Sequence, residues 1–197
     1  NTARHFFQPA TGYRFMIRPA LALLYSVLVL LAAATCSWAS QVEPVKPFDI
    51  NRYAGTWYEI YRLDHRFERG LTNVTATYRL IPGGRVEVIN RGLNRSDCHW
   101  KSAKGTAAFR GNSDVADLRV TFFWPFSGAY RVFALDQSDY RWAAVAGPNS
   151  NYLWFLSRSP TLPESIRKQL RDKASKLGFP TNNLIRVDHS KPRSCGR

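Results

Sequence analysis

Methionine occurs once in the 197 residues, at position 16, and cysteine three times, at 36, 98 and 195. No Cys-x-x-Cys pair is present, and the four histidines, at 5, 65, 99 and 189, do not cluster. The usual zinc frameworks are therefore excluded, and no metal or other cofactor is expected. The short motifs that carry catalysis are also missing: there is no Gly-x-Ser-x-Gly elbow, His-Glu-x-x-His pair or Gly-rich phosphate loop. His65 beside Asp64 makes no triad, because sequence neighbours rarely present that geometry. The chain is expected not to be an enzyme.

Acidic residues are scarce, 14 against 28 Lys and Arg, giving a net charge of +14. Residues 1–40 hold three arginines and no acid, so the remainder keeps 25 bases against 14 acids. The bases are scattered, with no basic arm or RNA-binding aromatic motif, and a nucleic-acid partner is not expected. Attraction to an anionic membrane surface and a solvated surface that aids solubility both remain as readings. Long apolar runs are absent after residue 34. The one present, Ala20 to Ala34, is interrupted by Tyr25 and Ser26 and is shorter than the roughly 20 residues of a membrane span.

That run is instead read as an export signal. Met16-Ile17-Arg18-Pro19 forms a short basic region, the apolar core follows, and Ser37-Trp38-Ala39 places small residues before a cleavage at Ser40. Residues 1–15 are expected to be upstream sequence outside the fold, 16–39 the signal peptide, 40–47 an extended linker, and 48–197 one domain. A second processing site competes: Ala33-Ala34-Thr35-Cys36 resembles a lipobox, in which Cys36 would be lipidated. Thr35 departs from the small residue usual before that cysteine, which favours the exported, unlipidated product. With Cys36 removed or lipidated, Cys98 and Cys195 are left as an even pair in an oxidising compartment, a candidate disulfide.

Aromatic residues are abundant, with twelve Phe, nine Tyr and six Trp, as strands favour. Segments with two-residue alternation recur at 57–61, 74–78, 86–90, 101–109, 117–123, 129–135, 140–146 and 152–158. Turn signals separate them at Pro82-Gly83-Gly84, Gly111-Asn112-Ser113, Pro125 to Gly128, Asp136 to Asp139 and Gly147 to Ser150. Eight strands on short loops predict an all-β antiparallel up-and-down barrel, since closure removes exposed edges. One helix follows, with Pro163 in its first turn, Ile166, Leu170, Ala174 and Leu177 on one face, and Gly178 and Pro180 ending it. Its other face carries Arg167, Lys168, Arg171, Lys173 and Lys176, for which a solvated face and a membrane contact are both open. A short last strand is expected over 184–187.

Gly55-Thr56-Trp57-Tyr58-Glu59 resembles the first signature of the lipocalins, Asp139-Tyr140 the second, and Arg158 in Trp154-Phe155-Leu156-Ser157-Arg158 the third. Asp64-His65-Arg66-Phe67-Glu68-Arg69-Gly70, Val74-Thr75-Ala76-Thr77-Tyr78 and Gly147-Pro148 before Asn151-Tyr152-Leu153-Trp154 are similar to the bacterial branch of that family, related to apolipoprotein D and the temperature-induced plant lipocalins. The resemblance runs from about Phe48 to Val187. It implies an eight-stranded barrel with an apolar interior pocket, placed in the bacterial cell envelope. The implied ligand is a fatty acid or lysophospholipid.

A haem- or bilin-type pigment binder and a structural envelope protein with a filled barrel share the fold and stay as alternatives. The branch is usually lipoprotein, and the Cys98–Cys195 pair resembles the bridge of many animal lipocalins.

The resemblance also sets the faces. Gly55, Trp57, Asp139, Tyr140 and Arg158 are expected to be structural, with Arg158 over the Trp57 ring at the closed end. With Trp57 inward, alternation turns Glu59 and Tyr61 inward as well, and the buried Glu59 then needs a cation or a proton. The pocket is expected from Tyr61, Ala76, Tyr78, Val88, Asn90, Phe122, Tyr130, Val132, Tyr152 and Trp154. Ala76 and Ala134 are read as leaving it space. The loop from Asp64 to Arg69 is expected at the mouth, where its charges meet a head group or merely solvent.

Overall fold

The computed structural model describes residues 42–190. The expected signal peptide, the segment before it, Cys36 and Cys195 lie outside them. After a four-residue helix α1 (Ile50–Tyr53) come eight strands: β1 (Gly55–Arg62), β2 (Leu71–Ile81), β3 (Arg85–Asn94), β4 (His99–Phe109), β5 (Asp117–Phe123), β6 (Phe126–Leu135), β7 (Trp142–Ala146) and β8 (Leu153–Ser157). Each pairs antiparallel with the next, and β1 pairs with both β2 and β8, so the sheet closes into an up-and-down barrel. Helix α2 (Glu164–Lys176) packs outside it, and a two-residue strand β9 (Ile185–Arg186) joins the upper part of β1. There Val187 donates to Ile60 O and Asn73 donates to Asp188 O, so the C-terminal segment bridges the seam where β2 has left β1.

Two apolar layers hold this together. Inside the barrel lie Trp57, Tyr53, Tyr78, Val88, Leu118, Val132, Val145 and Leu156. Between wall and helix lie Phe133, Ala134, Ala144, Ala146, Leu153, Phe155, Leu170 and Ala174. The three alanines of the wall have no bulk to hold the helix away, so Leu170 and Ala174 reach full burial against it. The helix's basic face is knitted into the chain. Arg167 pairs with Glu164, Lys168 with Asp172, Arg171 donates to Asn182 Oδ1, and Lys173 donates to Phe133 O at 2.8 Å. Segment 42–47, read as a linker, is extended and docked: Val42 is buried against the helix layer, and Val45 donates to Val132 O and accepts from Ala116 N.

The register shifts in four strand pairs, within β1, β2, β5 and β6, and at two of them the expected faces fail. In β6 the register with β7 shifts between Val132 and Ala134. Val132 therefore faces inward, Phe133 and Ala134 both turn toward the helix, and Leu135 returns to the interior. The expected inward Ala134 is thus corrected: it leaves room for α2 and none for a ligand. The second bulge lies in β1, between Glu59 and Tyr61.

The closed end is built on Arg158. Its guanidinium carbon lies 4.0 Å from the Trp57 ring centroid. Its nitrogens donate to the carbonyls of Thr56 (3.0 Å), Arg52 (2.8 Å), Tyr53 (3.1 Å), Ala54 (2.9 Å) and Tyr140 (3.3 Å). Those of Arg52, Tyr53 and Ala54 are left without helical partners at the end of α1, and a planar fork with five N–H groups suits such a cluster where an ammonium does not. Trp57 Nε1 donates to Tyr53 O at 2.8 Å, which locks the ring under the guanidinium. Gly55 takes φ +95°, which favours glycine, and a Cβ there would crowd Arg158 Nη1 at 3.3 Å. Tyr140 accepts from Asp49 N and stacks under Arg52, whereas Asp139 sits at the surface against Arg141.

Replacing Arg158 with Ala uncovers Trp57 and orphans several carbonyls, at a cost of about 3 kcal/mol. Arg158→Lys should recover only a minority of it. The check is the urea denaturation midpoint; a midpoint unchanged in Arg158→Ala would mean the floor does not hold the fold. Cys98, in the β3–β4 turn, is disulfide-bonded. With Cys195 as its expected partner, non-reducing peptide mapping should recover the two cysteine peptides joined. Reduction should then lower stability by roughly 4–5 kcal/mol, the entropy of so long a loop. Recovery of Cys98 with any other cysteine, or as a free thiol, would contradict the pairing.

Candidate ligand-binding cavity

Above the Trp57 floor the barrel encloses a cavity of about 440 Å³ that opens at the end carrying the β1–β2, β3–β4, β5–β6 and β7–β8 loops. Ala76, Tyr78, Val88, Asn90, Phe122, Tyr130, Tyr152 and Trp154 line it, so eight of the ten expected pocket residues meet around one space. Val132 is interior and fully buried, but packs below the cavity rather than on its wall. Gly105 of β4 lets the Phe122 ring lie flat, since a Cβ would approach that ring within 2.8 Å.

The lower boundary is polar. Tyr130 shares hydroxyl contacts with Tyr53 at 2.7 Å and Tyr78 at 2.6 Å. Burial pushes all three phenols above their usual range, so they stay neutral and hydrogen-bonded to one another. Asn90 Oδ1 is the exception on the wall, a buried acceptor that meets no donor among the described residues.

Tyr61 is the expectation that fails. The β1 bulge pairs Glu59 with Leu156 but Tyr61 with Phe155, so Tyr61 turns outward, its ring 6.3 Å from Phe155 in the helix layer. The same shift turns the next residue inward. Arg62 is buried, and its Nη1 donates to Glu59 Oε1 at 2.9 Å. An inward Glu59 thus has a cation beside it. Strict alternation had placed it outside, and no residue in the sequence marks the bulge.

Arg62 also organises the mouth. Its Nη2 donates to Glu68 O at 2.9 Å and Leu71 O at 3.3 Å, tying the β1–β2 loop down. Glu68 Oε2 in turn accepts from Trp154 Nε1 at 3.1 Å and lies 2.8 Å from His65 Nε2. That last contact is close but poorly aligned for a hydrogen bond. The His65 ring is set between Tyr152 and Trp154 at 5.5 and 5.4 Å. Of the charged loop residues, His65 and Glu68 are thus buried in the cavity wall, while Asp64 and Arg69 pair with each other at the surface.

One guanidinium cannot balance two buried carboxylates. Burial, reinforced by the charge of Glu68, drives the Glu59 pKa well above the carboxylate range, and Arg62 only partly opposes it. Burial alone would raise Glu68 as well, but His65, Trp154 and Arg62 outweigh it and hold Glu68 below that range. The cluster therefore carries an ionised Glu68 and a Glu59 that keeps its proton beyond the pH at which an unfolded chain releases it.

A sign follows from this. Between the ordinary glutamate range and the raised pKa of Glu59, the folded state holds a proton that the unfolded state has lost. Each pH unit of rise in that window then costs about 1.4 kcal/mol from this group. Glu59→Gln, neutral at every pH and close in shape, should remove that decline, so stability curves of variant and parent diverge as pH rises. Parallel curves from pH 5 to pH 8 would show that Glu59 is ionised throughout.

The Lipocalin-like domain matches residues 48–189. The chain is 45% identical over 171 residues to the outer membrane lipoprotein Blc of Citrobacter freundii, covering 87% of this chain and 96% of that protein. It is 48% identical over 146 residues to the Vibrio cholerae protein of the same name, covering 74% and 85%. Apolipoprotein D of Bos taurus is 35% identical over 147 residues, covering 72% and 74%. Among solved structures, insecticyanin from the tobacco hornworm Manduca sexta superposes with a TM-score of 0.63 at 21% identity, over 76% of this chain and 85% of that one, a likeness of fold alone. With the closed eight-stranded barrel, its outer helix and the Trp57–Arg158 floor, these matches place the chain in the lipocalin family.

Proposed function

We propose that this lipocalin binds one long-chain amphiphile, a fatty acid or lysophospholipid, with its tail in the cavity and its head group at the mouth. The carrying observation is a cavity with apolar walls that is shut by Trp57 and Arg158 at one end and ringed by polar and charged groups at the other. A tail gains about 0.8 kcal/mol per buried methylene, so a dozen outweigh the cost of association and allow micromolar binding. Lys101 and Arg91 on the cavity rim, with Arg66 nearby, suit an anionic or zwitterionic head group. The existence of a cavity counts against the filled structural barrel. The cavity's one histidine, His65, is occupied by Glu68, which counts against a haem ligated through it. The same reading makes the chain a binding protein rather than an enzyme, and puts it in the bacterial cell envelope, as two relatives are named outer membrane lipoproteins.

Titrated with fatty acids of increasing length, the protein should bind progressively tighter until the tail reaches the tyrosine layer, then plateau. Trp154, on the cavity wall, should report each titration by its fluorescence. Ala76→Trp should fill the space and weaken binding at least tenfold while the circular dichroism and melting curve stay those of the parent. Affinity independent of chain length, or undiminished in a folded Ala76→Trp, would remove the interior as the binding site.

A further inference from the structure

The two apolar layers account for the large buried side chains but not for four aromatics, each more than half exposed, at the open end. Trp124 is 88% exposed, Phe126 78%, Phe123 68% and Phe67 60%. The first three form the tip of the β5–β6 hairpin, and Phe67 lies on the β1–β2 loop, so two mouth loops present them together. Phe67, Phe123 and Phe126 also line the cavity, so the apolar rim runs continuously into the apolar interior. Water-exposed aromatics in such number on one rim signal an interaction surface.

The charges around the rim choose between partners. Arg91 lies 4.2 Å over the Trp100 ring and Arg66 4.8 Å over Phe67, and Lys101 stands beside the mouth. Among the described residues none of these three cations forms an ion pair with an acid. An aromatic tip flanked by unneutralised bases matches the layered chemistry of an anionic phospholipid surface, where rings sit at head-group depth and cations meet phosphates. The same cations on a second copy of this chain would face one another.

We propose that the protein docks mouth-first on an anionic phospholipid leaflet, with the Phe123–Phe126 tip inserted at head-group depth. The barrel opening is then held against the bilayer, and a single-tailed lipid can pass between the two without crossing water. The direction of passage rests on the lipid-binding reading above; the docking itself does not.

The test is flotation of the full mature protein, without added ligand, on vesicles of phosphatidylcholine alone or with one-third phosphatidylglycerol. Parent protein should float with the anionic vesicles, with a blue-shifted tryptophan emission, and at least tenfold less with the neutral ones or in 1 M salt. The variant Trp124→Glu, which exchanges the most exposed ring of the tip for an acid, should lose at least tenfold of the partition. It should still bind free fatty acid from solution as the parent does, because Trp124 does not line the cavity. A parent that floats equally on neutral vesicles, or a Trp124→Glu variant that floats like the parent, would overturn the docking surface. So would a parent that fails to float and is a dimer by sedimentation while Trp124→Glu is a monomer, since the rim would then be a contact between copies. Loss of fatty-acid binding by the parent with flotation intact would instead strike the cavity reading and leave the docking.

Discussion

A barrel that holds a ligand must be shut at one end, and here a single guanidinium does the shutting. Arg158 covers the Trp57 ring and collects the carbonyls left over where α1 ends and β1 begins. Those two contacts fix the entry angle of β1, and β1 is the strand that pairs with β2, β8 and β9. Gly55 belongs to the same device, because its φ favours glycine and a Cβ there would crowd Arg158. The closed end is therefore stiff and fully hydrogen-bonded, and the space above it can stay open without the barrel collapsing into it.

The mouth is organised on the opposite principle, by buried charge. One extra residue in β1 brings Arg62 to the inner face beside Glu59 and allows it to hold the loop through Glu68 O and Leu71 O. Burying four ionisable groups there, Glu59, Arg62, His65 and Glu68, costs desolvation that an apolar cluster would not incur. What the arrangement supplies is a loop anchored at a defined place over the cavity, with His65 and Glu68 facing the space a ligand would enter. Rigid floor, anchored lid loop and an aromatic hairpin tip then divide the barrel into one sealed and one interactive end.

Much of this was legible in the residues alone. The eight strands, the outer helix and the Trp57–Arg158 contact all follow from two-residue alternation, turn residues and three short signatures. Eight of the ten pocket residues do line the cavity, on or beside strands whose inward face alternation gives correctly. Val132 faces inward as alternation places it but lies deeper than the cavity, whereas the two reversed faces share one physical cause. Tyr61 and Ala134 each follow a bulge, and a bulge reverses the faces of everything after it while leaving no mark in composition. Arg62 escapes alternation for the same reason, although an inward Glu59 calls for a cation or a proton. The rim aromatics were counted among strand formers, because a Phe-Phe-Trp-Pro-Phe run reads as strand and turn whether or not anything covers it.

On the function proposed above, the interior is a place for one lipid tail. Native mass spectrometry of the protein, purified gently from the envelope and then offered lysophospholipid, addresses it directly. The account predicts a single added mass per chain, that of one single-tailed lipid, which saturates and is exchanged by a longer-tailed competitor. A chain that stays at the mass of its polypeptide alone at saturating lipid, or that takes up several lipids without limit, would contradict it.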